Sequence, residues 1–231
     1  MSENQKEEIK EKIVEEVEKI EEIKKIDIKK EIKEWLIAIV VALVVALLIR
    51  YFVFTPTMVK QTSMYPTLKD GERLFLSRMI RNFKGMPERG DIITFEAPYA
   101  NAQDKENPKA YYQNNYSLLT KFIRNFLELG GKRSYIKRVI ALPGEKIDII
   151  DGKVYINDVL LEEDYLEEGL ETIMISGGKF DSVIVPEGYI YVMGDNRAGS
   201  QDSRVFGCVP INKIEGKVKF RIWPLSTFGK I

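Results

Sequence analysis

Residues 35–54 read WLIAIVVALVVALLIRYFVF, and this apolar run divides the chain into two dissimilar parts. About 20 helical residues rising 1.5 Å each cover the roughly 30 Å of a bilayer's hydrocarbon core. Arg50 is its single charged residue and lies near one end, while Trp35 and Tyr51 suit the two membrane interfaces. The run is too long for a cleaved signal peptide and too uniformly apolar for a core helix in a modest chain. It therefore predicts one transmembrane helix.

The charges that flank this run predict its orientation. Lysines crowd its N-terminal side: Lys24, Lys25, Lys29, Lys30 and Lys33. Because lysine and arginine favour the cytoplasmic side, we expect a single-pass protein of the cell membrane with residues 1–34 in the cytoplasm. Everything after residue 54 then lies outside.

The segment 1–34 is charged and partly helical by pattern. Its apolar residues recur at helical spacing: Ile9, Ile13, Val17 and Ile20. This spacing fits either a helix that binds a partner or a second copy, or a solvated extension, and it favours the second because fewer than four clean heptads are present.

Composition excludes several classes of function. The chain has 231 residues, a formal net charge of +0, one cysteine and no histidine. No basic surface for nucleic acid is indicated, and no internal disulfide can form. The usual ligand sets for zinc and copper are missing. A metal site built from carboxylates alone stays open, but no calcium-loop spacing occurs, so we expect neither metal nor cofactor. Without histidine, a Ser-His-Asp triad is excluded.

Residues 55–231 predict a mainly β domain, either a bent sheet or a partly closed barrel. Short apolar runs alternate with turns such as Asp151-Gly152 and Asn157-Asp158. A polar insert at about 97–134 interrupts them and ends in a predicted amphipathic helix, which either touches lipid or substrate or packs on the domain. The predicted strands are 73–76, 91–96, 135–142, 146–150, 153–156, 183–185, 189–193, 205–209 and 217–223.

Three segments carry candidate chemistry. Residues 61–68, QTSMYPTL, offer Ser63 as an attacking hydroxyl, but no histidine is present to take its proton. A lysine amine can serve if burial keeps it neutral, and Lys137 lies in an otherwise apolar strand with Arg138 on the opposite face. Residues 194–206, GDNRAGSQDSRVF, place a dense polar set behind a strand, which suggests a scaffold for such a base.

These segments together resemble the four signature boxes of bacterial type I signal peptidases. The boxes are SMYPTL at 63–68, RGDIITF at 89–95, YIKRVIALPGE at 135–145 and GDNRAGSQDSR at 194–204. They follow an N-terminal span in the family's order, and the resemblance covers residues 35–225 apart from the insert. Four boxes in order are highly specific, whereas each box alone is only moderately so.

The resemblance implies a role for each matching residue. Ser63 would be the nucleophile and the donor of one oxyanion hydrogen bond through its backbone N–H, and Lys137 would be the general base and then the acid. Ser200 would hydrogen-bond and orient the lysine, and Met64 would shape the nucleophile turn. A supporting framework of ion pairs and hydrogen bonds would come from Arg138, Asp195, Arg197, Asp202 and Arg204.

The resemblance also implies a substrate and a setting. Substrates would be secretory preproteins cut after small residues at the first and third positions before the bond, in the bilayer and close to the secretion translocase. An extended substrate would add as a strand. Gln61 departs from members that have serine there as a second oxyanion donor; the Gln61 side-chain amide or water would have to replace it. The insert is a second departure.

Three other interpretations compete with this one. A self-cleaving repressor would use serine and lysine, but such proteins are cytosolic and carry a DNA-binding module. This sequence has a predicted membrane span and no such module. A membrane-tethered β domain that only binds partners would not need the intact serine, lysine and 194–204 set. Cys208 as a nucleophile lacks a basic neighbour in sequence and fits better as a small core residue.

Overall fold

One long helix accounts for the described part of the first of two compact units, Met1–Ile49. The computed structural model describes residues 3–82, 85–99, 106–112, 133–173 and 180–231. Helix α1 (Glu3–Phe52) contains a stretch, Ile28–Arg50, of 23 residues with mean hydropathy 2.6. By length and composition this stretch can cross a membrane, so one N-terminal apolar helix fits a single span.

The second unit, Arg50–Ile231, is built mainly from β-strands. Among its described residues, two short helices and two 3₁₀ turns accompany them: α2 (Met79–Asn82), α3 (Ser203–Phe206), and the turns Ile211–Lys213 and Leu225–Thr227. The strands are β1 (Phe54–Met58), β2 (Arg73–Ser77), β3 (Ile92–Glu96), β4 (Ser134–Ala141), β5 (Lys146–Ile150), β6 (Lys153–Ile156), β7 (Val159–Leu160), β8 (Ser182–Ile184), β9 (Tyr189–Met193), β10 (Val209–Pro210), β11 (Ile214–Trp223) and β12 (Gly229–Lys230).

The strands form two antiparallel sheets. The larger sheet has the order β1-β2-β11-β3-β4-β9-β10, with β12 paired to β11, and the smaller has the order β7-β6-β5-β8. Register shifts in β11 and between Val139 and Ala141 of β4 interrupt the larger ladder. Such irregularities bend a strand and increase its twist, so the sheet is folded rather than flat.

The core of this unit lies against β4, which is buried along most of its length. From Lys137 to Ala141 every residue is buried, so both faces of the strand are covered. Ile140 and Ala141 pack towards the smaller sheet, whereas Val139 packs with Phe95 of β3. This strand therefore provides a dry, fixed position for a polar side chain.

The predicted mainly β class is confirmed, as a bent sheet: the described strands form two open sheets rather than a closed barrel. The predicted strand at 205–209 is wrong, because Asp202 caps a helical turn at Ser203–Phe206 and only Val209–Pro210 is extended. The predicted span ended at Phe54, but that residue starts β1. The predicted helix of the insert, within 117–131, lies outside the described residues.

Candidate active site

Ser63 lies in a tight turn between β1 and β2. The N–H of Tyr65 donates to the carbonyl of Thr62 at 3.0 Å, and the N–H of Leu68 donates to the carbonyl of Met64 at 2.8 Å. Met64 and Leu68 are 2% and 0% exposed, so they anchor the turn in the core. Ser63 is held half-buried at the surface of this turn, above the buried Met64 side chain.

Lys137 reaches Ser63 from the middle of β4. Its position in the sheet is set by antiparallel pairing with Ile93 of β3. Its Nζ is 2.7 Å from the Ser63 Oγ and donates to the carbonyl of Ile136 at 3.0 Å. The lysine is only 3% exposed. The turn and the strand therefore bring the two predicted residues into direct hydrogen-bond contact.

Burial changes the proton affinity of this lysine. Loss of hydration lowers the pKa of Lys137 from 10.5 to about 8, because the protonated form cannot be solvated. The carboxylates of Asp202 and Asp195 oppose this by attracting the ammonium, while Arg204 repels it. Desolvation outweighs the attraction. The amine is consequently available in its neutral form near physiological pH.

Two buried ion pairs surround the lysine. Arg138 donates to both carboxylate oxygens of Asp195, at 2.9 and 2.7 Å, and Arg204 does the same to Asp202, at 2.9 and 2.8 Å. Asp202 also accepts the backbone N–H of Gly194 at 3.0 Å. Paired donors and acceptors satisfy these charges inside the protein, and their geometry fixes the loop after β9.

Arg197 completes the framework with partners from outside the signature boxes. Its guanidinium is fully buried and contacts both carboxylate oxygens of Glu163, at 2.5 and 3.2 Å, and the Thr172 hydroxyl at 2.5 Å. The Tyr165 ring lies 3.9 Å from the Arg138 guanidinium carbon. Sequence reasoning missed Glu163, Tyr165 and Thr172, since their acidic segment looks like a solvated surface and no local pattern reveals a buried partner.

Comparisons with known proteins find relatives that match most of the chain. The family model described as "Signal peptidase, peptidase S26" matches residues 32–223. The chain is 33% identical over 213 residues to signal peptidase IB of Staphylococcus aureus strain COL, covering 87% of this chain and 94% of that protein. It is 34% identical over 179 residues to thylakoidal processing peptidase 1, chloroplastic, of Arabidopsis thaliana, covering 78% of this chain and 45% of that one.

The chain belongs to the S26 family of signal peptidases. It is accordingly a serine endopeptidase that removes signal peptides. A crystal structure of a signal peptidase I from Enterococcus faecalis V583 is 29% identical, with a TM-score of 0.37, and covers 57% of this chain and 95% of that one.

The Ser200 side chain of this signal peptidase makes a contact other than the one predicted. The Ser200 hydroxyl is buried and has no hydrogen-bond partner among the described residues, and the hydrogen bonds of the Lys137 amine go to Ser63 and Ile136. Ser200 instead packs over Gly194, where an added Cβ would lie 2.2 Å from its Oγ. Its orienting role stays a prediction.

Gln61 has a strained backbone in this signal peptidase. Its φ of 82° lies in the left-handed region that favours glycine, and its N–H donates to Asp70 Oδ1 at 2.7 Å. The residue is exposed. Its service as the second oxyanion donor stays a prediction, while its backbone sets the direction from which the chain enters the nucleophile turn.

Proposed function

We propose that Ser63 and Lys137 form the catalytic dyad that cleaves signal peptides from secretory preproteins. One observation carries the proposal: the amine of a buried lysine lies 2.7 Å from the serine hydroxyl. A hydroxyl needs a base within hydrogen-bond reach, and a base works best when its pKa is near the working pH. The pKa of about 8 for Lys137 meets that requirement without histidine.

Hydrolysis then proceeds in two halves. The neutral Lys137 amine accepts the Ser63 proton as Oγ bonds to the scissile carbonyl carbon, and the resulting ammonium donates that proton to the nitrogen of the breaking C–N bond. The mature protein leaves with a new N-terminus, and the signal peptide remains as a serine ester. Lys137 next takes a proton from water, the hydroxide displaces Oγ, and the ammonium returns the proton to Ser63.

Oxyanion stabilisation is assigned to the backbone N–H of Ser63, with a second donor from the Gln61 side chain or water. Ser200 orients the lysine amine once substrate is bound. The buried ion pairs of Arg138 and Arg204, together with the Arg197 pair, keep the loop and strand in register during both halves of the reaction.

The proposed substrate is an extended segment with small residues at the first and third positions before the cut, held as an added strand. Residues 1–34 are cytoplasmic, residues 35–54 anchor the chain, and residues 55–231 act outside, beside the secretion translocase. Exposed aromatic side chains on adjacent strands support a lipid contact: Phe54 and Phe75 rings meet at 6.2 Å, and Phe220 pairs in register with Phe75.

The test is cleavage of a purified preprotein by the full chain in liposomes. Wild type should make one cut after a small-x-small site, and Ser63→Ala and Lys137→Ala should make none. Lys137→Arg should also fail, because a guanidinium stays protonated at working pH. Lys153→Ala in β6, an exposed strand lysine, is the matched control and should cleave like wild type.

The outcomes separate the claims. Cleavage that survives in Lys137→Ala would exclude this lysine as the base. A cut at a site without small residues would refute the proposed specificity while leaving the dyad standing. An inactive but folded wild type, tested on several preproteins, would favour the binding-domain interpretation.

A further inference from the structure

Asn196 links the loop after β9 to the nucleophile turn through two hydrogen bonds. Its side-chain Nδ2 donates to the carbonyl of Thr62 at 3.2 Å, and its backbone N–H donates to the carbonyl of Ser63 at 3.1 Å. These carbonyls belong to the two peptide units on either side of the Ser63 α-carbon. Asn196 therefore holds the backbone on both sides of the nucleophile.

Peptide geometry gives the first of these contacts a chemical consequence. The Thr62 carbonyl and the Ser63 N–H share one planar trans peptide unit and point in opposite directions. A donor fixed on the carbonyl consequently fixes the direction of the N–H on the other side. It also polarises the peptide, which makes that N–H a stronger donor, because hydrogen bonds in a chain reinforce one another.

We infer that Asn196 is the positioning residue that aims and polarises the Ser63 N–H at the oxyanion of the tetrahedral intermediate. This inference rests on the proposed function, in which that N–H is an oxyanion donor. Asn196 does not touch the reacting atoms. Its side chain acts through the Thr62–Ser63 peptide, so it stabilises the transition state without changing how Lys137 titrates.

The Asn196 amide is itself held in one orientation. Its Oδ1 accepts the backbone N–H of Gly199 at 3.0 Å, which leaves Nδ2 facing Thr62. Gly199 must be glycine for this packing, because an added Cβ would lie 2.8 Å from Nδ2 and 3.1 Å from the amide carbon. The loop sequence therefore encodes both the donor and the space that it occupies.

The experiment measures kcat and KM for preprotein cleavage by the full chain in liposomes, with Asn196→Ala and Gly199→Ala as variants. Ala198→Ser, an exposed position in the same loop, is the matched control. We expect kcat to fall about tenfold in Asn196→Ala, less than the roughly hundredfold cost of removing an oxyanion donor itself, because the Ser63 N–H remains and Tyr65 still donates to the Thr62 carbonyl; KM should stay within about threefold of wild type. Gly199→Ala should fall in the same direction, and Ala198→Ser should match wild type.

Two readouts separate positioning from a general loss of structure. The pH at which kcat/KM rises should be the same in Asn196→Ala as in wild type. A substrate-like peptide aldehyde forms a hemiacetal with the Ser63 hydroxyl and should bind about tenfold more weakly to the variant. The corresponding peptide alcohol, which forms no such adduct, should bind equally to both. Thermal unfolding of each variant checks that it is folded at the assay temperature.

Contrary results are distinguishable from a failure of the dyad. If Ser63→Ala is inactive but folded Asn196→Ala keeps kcat within about threefold, the positioning role is refuted and the dyad stands. A pH profile that moves with Asn196→Ala would show that it acts through Lys137 instead. If Asn196→Ala is unfolded, Asn196→Ser is measured in its place, and unchanged aldehyde binding in that variant would overturn the inference.

Discussion

The titration of Lys137 makes the sharpest prediction, because the pH dependence of cleavage follows from its burial. In the proposed dyad, Lys137 must be neutral to accept the Ser63 proton. With a pKa of about 8, about one molecule in eleven carries a neutral amine at pH 7 and about ten in eleven at pH 9. An unshifted lysine would be neutral in only about one molecule in three thousand at pH 7. Burial therefore increases the active fraction at pH 7 about 300-fold.

The assay is kcat/KM for preprotein cleavage by the full chain in liposomes between pH 6 and pH 10, chosen to bracket a pKa of about 8. We expect an increase of about tenfold from pH 7 to pH 9, followed by a plateau. The chain contains no histidine, so no imidazole can produce an inflection in this range. A rate that still climbs tenfold per pH unit above pH 9, or one that is flat from pH 6, would refute the desolvated-lysine mechanism.

Four further predictions concern stability and reactivity. Lys137→Met should be inactive yet about 1 kcal/mol more stable at pH 7, because the burial penalty of about 3 kcal/mol exceeds the roughly 2 kcal/mol of its two lost hydrogen bonds, to Ser63 and Ile136; since the folded pKa is lowered, the gain should shrink as pH rises from 8 to 10.5 in thermal unfolding. Asp195→Asn should lower the free energy of unfolding by about 3–5 kcal/mol, since the buried guanidinium of Arg138 loses its counter-charge; a change under 1 kcal/mol would contradict the role of the pair. Gln61→Gly should add about 1 kcal/mol of stability by relieving its positive φ and keep cleavage within about threefold, whereas a loss of about a hundredfold would identify the Gln61 amide as an oxyanion donor. Cys208, buried with its thiol pKa raised to about 12 by desolvation, should resist iodoacetamide in the folded protein, and Cys208→Ala should retain cleavage; inactivation in either experiment would return it to consideration as a nucleophile.

The strands were predictable where apolar runs ended at turns. Three predicted ranges, 146–150, 153–156 and 189–193, agree with β5, β6 and β9 to the residue. The segment 205–209 was wrongly predicted as a strand, because its apolar residues Val205 and Phe206 belong to a helical turn capped by Asp202. Local pattern cannot distinguish a short buried turn from a short strand.

The candidate active site was likewise predictable only in part. Ser63 and Lys137 could be proposed from their neighbours and the absence of histidine, and the structure brings them together. Arg197 was expected only to belong to the supporting framework, and its partner, Glu163, was not predicted. The partner of Arg197 depends on which loops meet in the folded protein. The acidic segment 162–171 has no periodic pattern that would identify Glu163 as the carboxylate that is turned inward.

Distance along the chain gives the active site a further property. Ser63 and Lys137 are separated by 74 residues, and Asn196 lies 134 residues from Thr62. A ribosome therefore completes the serine well before the base and long before the loop that supports it. With the proposed Ser63–Lys137 dyad, a nascent or misfolded copy carries an inert hydroxyl, so we expect protease activity only in a chain whose large sheet has assembled.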